Sequence, residues 1–322
     1  MRIKPYACCM FAALPLAGLA FAAQDWPSKP VRIVVPFPPG GGTDIQARVL
    51  SGAFQASTGQ NFIIDNRTGA AGLIAAQLVV DAPPDGYTLL FTSGSISVAT
   101  TLRAKEMRFN VYTDLVPVSW LTSTPLVLAV HPSVPARTVP ELVALAKRHA
   151  GRMNATGNTA GSTAHLAGEM LNQVAGLKTT VLTYRGGGPA VIALISGEAD
   201  YGFTTAPSII PHLKAGRARG LAVTTAKRSA YLPDLPTMNA YYPGFEADNW
   251  YAMFFPKGTP PAIVARMNQE IRKALQSKEV RDFLPKAALD AVGSTPEELT
   301  ALLKREIPKY AEVIKEAHIP TS

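Results

Sequence analysis

Cysteine is almost missing from this chain: Cys8 and Cys9 are the only two, and both precede residue 10. The remainder can form neither a disulfide nor a thiolate metal site, so it must fold on its apolar core alone. Histidine is sparse as well. Of the five, His131, His149, His165, His212 and His318, none has metal-ligand spacing. Only His165 shares a helical face with an acid, Glu169, and that pair reads as a helix brace rather than a catalytic or metal pair. No metal and no cofactor are expected. The nucleophile motif Gly-x-Ser-x-Gly is absent too; Gly157–Gly161 carries Thr159 at its centre. That counts against a secreted serine hydrolase built on Ser93, Ser95 or Ser162. The net charge of +8 is spread among acids without an aromatic-basic motif, so nucleic acid is not an expected partner. After Ala23 no run is apolar for long enough to cross a membrane.

What is present begins with an export pattern. Arg2 and Lys4 precede an uncharged stretch, Pro5–Ala23, that ends in Ala20-Phe21-Ala22. This reads as a signal peptide over residues 1–22, cleaved after Ala22. About 300 residues remain, too many for one small core and suited to two α/β lobes. Strand-like and helix-like runs alternate along them, which predicts βαβ units and mainly parallel sheets flanked by helices. The rhythm places lobe 1 at 23–124 with 247–322 and lobe 2 at 125–246.

The most informative stretch is VRIVVPFPPGGGTD, Val31–Asp44. A β-branched strand turns through Gly40, Gly41 and Gly42 into a helix that Thr43 and Asp44 can cap. Such a helix start offers unpaired N–H groups and about half a positive charge to an anion. A dinucleotide fingerprint fails here, because Ile45 stands where its third glycine belongs. Similar junctions recur at Thr92–Ser95, Gly157–Thr163, Tyr184–Pro189 and Thr204–Ser208. Singly they are ordinary turns and caps; together, across two lobes, they fit a cleft that binds an anion through amides and hydroxyls. Arg67 can pair with a carboxylate ligand or brace its own loop through Asp65, and Arg185 poses the same choice. Phe37 reads equally as core or as ligand wall.

At these residues the chain resembles the periplasmic solute-binding receptors of tripartite tricarboxylate transporters, the Bug family. The matching runs are Trp26–Pro30 with VRIVVPFPPGGGTD, Asp65-Asn66-Arg67, Pro84–Leu90, Gly161–Glu169, and Tyr184-Arg185-Gly186 with Pro189-Ala190. The resemblance implies a two-lobed Venus-flytrap receptor, type II-like, periplasmic and without catalysis. It implies a small organic carboxylate as ligand, a di- or tricarboxylate or an aromatic acid, delivered to membrane permease subunits by a monomeric receptor. A ligand sensor that docks a signalling partner is the alternative. Carried over by residue, the cleft comprises Phe37, Pro39, Gly40, Gly41, Gly42, Thr43, Asp44, Ser93, Asn158, Thr159, Gly161, Ser162, Thr163, Tyr184, Arg185, Gly186, Thr204 and Thr205, with His165 orienting its loop. Two positions depart from the family pattern. Leu73 replaces a polar residue and implies a more apolar pocket, and Arg185 stands where lysine is common.

Overall fold

Val31–Val35 forms strand β1, burying Val31, Ile33 and Val35 on one face and Val34 on the other, as a central strand covered by helices on each side requires, while Arg32 pairs with Asp65 of the neighbouring strand. From there the chain runs through α1 (Gly42–Thr58), β2 (Phe62–Asn66), α2 (Leu73–Val80), β3 (Thr88–Ser93), α3 (Ser95–Leu102), the single turn α4 (Val111–Asp114) and β4 (Leu115–Thr124). The second lobe follows with β5 (Leu126–Val130), α5 (Val139–Arg148), β6 (Asn154–Gly157), α6 (Thr163–Ala175), β7 (Thr180–Thr183), α7 (Gly187–Ser196), β8 (Tyr201–Thr205), α8 (Ala206–Lys214) and β9 (Arg219–Val223). The chain then returns through β10 (Asn249–Pro256), α9 (Pro261–Gln276), α10 (Lys278–Phe283), the two-residue β11 (Asp290–Ala291) and α11 (Pro296–Glu316). This computed structural model describes residues 26–316, 319 and 321; the signal peptide expected at 1–22 lies outside the described residues. Among the described residues no helix is long and apolar enough to cross a membrane.

Two sheets result, ordered β11-β4-β10-β3-β1-β2 and β7-β6-β8-β5-β9. The expectation of parallel pairing holds where βαβ units build the sheet, at β2-β1-β3 and β7-β6-β8. The strands that carry the chain between sheets, β4, β5 and β10, pair antiparallel with their neighbours, so each sheet is mixed. Sheet membership changes twice, across Pro125 between β4 and β5, and across the segment between β9 and β10.

Each sheet is packed on both faces. In the first, Ile33, Leu89 and Met253 meet α1 and α9 on one side, while Val34, Leu90 and Ala252 meet α2, α3 and the start of α11 on the other. In the second, Leu126, Leu128 and Val130 face α5 and α6, and Val127 and Ala129 face α7 and α8, as the two-residue period of a strand dictates. The C-terminal segment serves both lobes. Leu299, Leu302 and Leu303 of α11 pack on the first sheet, whereas Tyr310 and Ile314 join the core of the second.

Helix α11 starts as its sequence predicts. The Thr295 amide donates to Glu298 Oε2 at 2.8 Å and the Glu298 amide donates to Thr295 Oγ1 at 3.3 Å, a reciprocal capping box. Thr295→Ala is expected to cost about 1 kcal/mol in urea unfolding, the typical loss of such a cap. A cost below a few tenths would mean that packing alone fixes this helix start.

Candidate functional site

The parallel strands of each lobe end at the edge facing the other lobe, and the helices that follow them begin there. Five such starts, those of α1, α3, α6, α7 and α8, open on one small chamber of about 30 Å³ between the lobes. Gly41, Gly42 and Thr43 bring α1 to it, Ser95 brings α3, Ser162 and Thr163 bring α6, Gly187 brings α7, and Thr205 brings α8. Phe37, Ser93, Asn158, Asn249 and Tyr251 complete the wall. No side chain caps α1, α3, α7 or α8; at α6, Ser162 Oγ accepts from the His165 amide at 3.2 Å. The first N–H groups of an uncapped helix have no intrahelical partner, and the helix dipole adds positive potential at the same place. The lining contains no charged side chain, so the attraction for an anion comes from the backbone.

The lobes approach closely at their glycines. A methyl group on Gly42 would lie 2.8 Å from Thr205 Oγ1 of the other lobe, and 2.4 Å from the Tyr251 hydroxyl of its own. One on Gly186, whose φ of +142° is itself a glycine conformation, would lie 2.6 Å from Pro38 Cδ. Around the chamber several polar atoms are left open. Asn158 Oδ1 and the Tyr251 hydroxyl are buried without a hydrogen bond. The hydroxyl sits among Thr205, Asn249 and Gln46, and burial pushes its pKa up to about 12, so it stays a neutral donor. Buried polar groups are usually paired, and here the missing partners converge on one chamber.

Asp44 shows how the β1–α1 turn is held. Its carboxylate accepts from the Gly40 amide at 3.1 Å, from Arg48 at 2.9 and 3.0 Å and from Asn66 Nδ2 at 3.0 Å. Burial alone would raise its pKa, but the bonds from Arg48, Asn66 and Gly40 outweigh that and hold it below the usual carboxylate range. Asn66 Nδ2 also donates to the Phe37 carbonyl at 2.8 Å. The turn is therefore fixed from behind, with the Gly41 amide donating to the Pro38 carbonyl at 3.5 Å, and Gly42 and Thr43 are left on the chamber wall.

Residues 46–319 match the model of the tripartite tricarboxylate transporter family receptor. This chain belongs to that family. It is 36% identical to BugT of Bordetella pertussis over 304 residues, 93% of each protein. Among solved structures it is similar to Rpa4515 of R. palustris with adipate, at 33% identity and a TM-score of 0.88, covering 92% of this chain and 99% of that one. It is similar also to MatC of Rhodopseudomonas palustris with bound malate, at 29% identity and a TM-score of 0.85, covering 90% of this chain and 100% of that one. The family consists of solute-binding receptors, not enzymes. At the end of β3, Ser93 Oγ donates to Ser95 Oγ at 3.2 Å.

Within this receptor the expected cleft residues divide three ways. Phe37, Gly41, Gly42, Thr43, Ser93, Asn158, Ser162, Thr163 and Thr205 line the inner chamber. Thr159, Tyr184 and Arg185 line a separate outer compartment, which Phe37 shares. Pro39, Gly40, Asp44, Gly161, His165, Gly186 and Thr204 line neither. Most of these seven shape the turns: Gly40 and Asp44 lock the α1 turn, Gly161 turns at φ +81°, and Gly186 starts α7. His165 Nδ1 accepts from the Gly161 amide at 3.4 Å, which orients its loop, and burial lowers its pKa. Arg67 braces Asp65 at 2.9 Å rather than facing the cleft. Leu73, expected to make the pocket more apolar, is buried in the core beneath α2 and reaches neither compartment.

Asn249 and Tyr251 are wall residues that the sequence reading did not include, whereas Ser95 and Gly187 lie within its junctions Thr92–Ser95 and Tyr184–Pro189 without being named as contacts. Asn249 and Tyr251 lie two apart on β10 and share a face. That spacing was readable in the sequence, but which face meets the cleft depends on β10 lying beside β3.

Proposed function

We propose that this chain is a periplasmic receptor that captures a small organic carboxylate in the chamber between lobe 1 (23–124 with 247–322) and lobe 2 (125–246) and delivers it to the permease subunits of a tripartite tricarboxylate-type transporter. The reading is carried by one observation: five helix starts, four of them without a side-chain cap, converge on a small chamber with no charged side chain. A carboxylate there accepts from amides and hydroxyls of both lobes at once, so binding draws the lobes together. Exclusion of water then strengthens each of these bonds. Adipate and malate, held by the two solved relatives, are acids of this class.

Thermal melting of the purified chain against mono-, di-, tri- and aromatic carboxylates tests the reading. An acid present at about 100 times its dissociation constant stabilises the native state by about 2.7 kcal/mol. A clear rise in melting temperature, with calorimetric binding and no turnover, is the expected result. If no acid shifts the melt of protein freed of co-purified ligand, the carboxylate reading fails.

A further inference from the structure

The two strand connections between the lobes meet at one cross-section of the hinge. At the end of β4, Thr124 stands opposite Asn249, the first residue of β10. Just beyond Pro125, the Leu126 amide donates to Thr224 Oγ1 at 2.9 Å and the Thr224 amide donates to the Leu126 carbonyl at 3.0 Å. Thr224 Oγ1 in turn donates to the Ala247 carbonyl at 3.2 Å. Helix α11 crosses the same place. Its Tyr310, buried in the core of the second lobe, donates through its hydroxyl to the Asp248 carbonyl at 3.4 Å. Leu299, Leu302 and Leu303 of the same helix pack on the first sheet. Asp248 therefore lies where both strand connections and the helix that serves both lobes come together.

This is a poor place for a charged carboxylate. Oδ1 of Asp248 is buried without a hydrogen bond. Glu246 faces it from its own segment, and Glu306 and Tyr310 face it from α11; Lys309 of that helix and the Thr224 side chain oppose them. Glu306 is itself buried, with Arg305 at 3.4 Å. A carboxylate removed from water with an open lone pair is disfavoured in its ionised form. Burial, then Glu246 and Glu306, outweigh Lys309 and Thr224 and bring the pKa to about 7. The site is one residue away. Asn249 lines the chamber, and its Oδ1 accepts from Thr163 Oγ1 of the second lobe at 3.4 Å. The lobes stand close in this structure, with Gly42 against Thr205 and Gly186 against Pro38.

We propose that Asp248 is a positioning residue of the hinge, with its carboxyl neutral while the lobes are closed and ionised when they open, so that ligand capture takes up a proton. The inference rests on the receptor reading above and adds a regulation of that site. Rotation of one lobe against the other bends the connections packed around Asp248 and lets water reach Oδ1, which returns the carboxyl toward its ordinary range. Closure removes that water. The closed form is thus favoured while Asp248 is protonated, and it loses this advantage as the pH rises through the closed-state value. Affinity therefore falls toward alkaline pH.

Calorimetric titration of the whole receptor with an acid that stabilises the wild type, at pH 6, 7 and 8 and in two buffers of different ionisation enthalpy, tests this. The wild type is expected to lose affinity about five- to tenfold from pH 6 to pH 8 and to take up about half a proton per ligand at pH 7. Asp248→Asn flattens the profile to within about twofold and abolishes the uptake. Protonation of the ligand and of His165 is common to both proteins and cancels in the comparison. Glu246→Gln, at an exposed position, moves the fall to lower pH, and Lys309→Gln moves it to higher pH. Equal pH dependence in the wild type and Asp248→Asn overturns the proposal while leaving the receptor reading standing. If Asp248→Asn does not fold, a profile that neither Glu246→Gln nor Lys309→Gln moves overturns it equally. Failure of every acid to bind overturns the receptor reading, and this inference with it.

Discussion

Gly42→Ala is expected to weaken carboxylate binding about a thousandfold while leaving the chain folded. Gly42 opens α1 and has no left-handed φ, so its backbone accepts alanine. The obstacle has two sides: the new methyl group would stand 2.4 Å from the Tyr251 hydroxyl in its own lobe and 2.8 Å from Thr205 Oγ1 across the cleft. Tyr251 has no room to retreat, being fully buried beside Phe91 with ring centroids 6.2 Å apart. The start of α1 must therefore shift toward the cleft, the contact with Thr205 then holds the second lobe off, and the ligand loses the donors that lobe supplies. Two charge-assisted hydrogen bonds at about 1.5–3 kcal/mol each amount to some 3–6 kcal/mol, against about 4 kcal/mol for a thousandfold change. Calorimetry with an acid that stabilises the wild type measures the loss, and circular dichroism verifies the fold. Affinity within tenfold of wild type would mean that the closed approach of Gly42 to Thr205 is not the binding geometry.

The second large effect concerns Asp248, in the segment that leads the chain back to β10. One of its carboxylate oxygens, Oδ1, is buried without a hydrogen bond. Burial, reinforced by Glu246 and Glu306 and only partly offset by Lys309, pushes its pKa from an ordinary 3.8 to about 7. A carboxyl whose pKa is raised on folding favours the native state while it is protonated, and that advantage is lost as the pH rises through the folded value. The span from 3.8 to about 7 corresponds to at most ~4 kcal/mol, roughly 2–3 of it between pH 5 and pH 8. Asp248→Asn, which keeps the shape and cannot ionise, should be more stable than wild type at pH 8 by roughly 2–3 kcal/mol more than at pH 5. Urea unfolding of both proteins at the two pH values reads this directly. An equal difference at pH 5 and pH 8 would show that Asp248 titrates normally.

The legible parts of the fold were those written in contiguous residues. The β1 run, the capping box at Thr295 and the apolar period of α9 each lie within one segment and formed as predicted; the glycine turn also leads into α1, but the helix starts at Gly42 after an uncapped Gly41, with Thr43 and Asp44 inside its first turn and not capping it. Strand β4 went unread, although it is the longest strand at ten residues. Its sequence LVPVSWLTST contains Pro117 and several polar residues, which normally argue against a central strand. β4 tolerates them because it pairs with β10 through register shifts and its serine and threonine side chains find buried partners. Ser119 Oγ, for example, donates to the Ser294 carbonyl at 2.8 Å.

The same division runs through the site. The sequence by itself determined the receptor family, the two-lobed α/β plan and the glycine, serine and threonine junctions that face the cleft, because strand, turn and helix start are local patterns. It did not determine which junction residues touch the chamber. Asp44 sits in the most conspicuous motif yet points backward to Arg48 and Asn66, and Leu73 turns into the core. Asn249 and Tyr251 enter the wall from a strand more than 80 residues beyond the last loop of the first lobe's βαβ units. Tertiary structure alone decided these matters. A side chain's direction follows from its strand face and sheet neighbours, and those neighbours are set by which distant segments pack together.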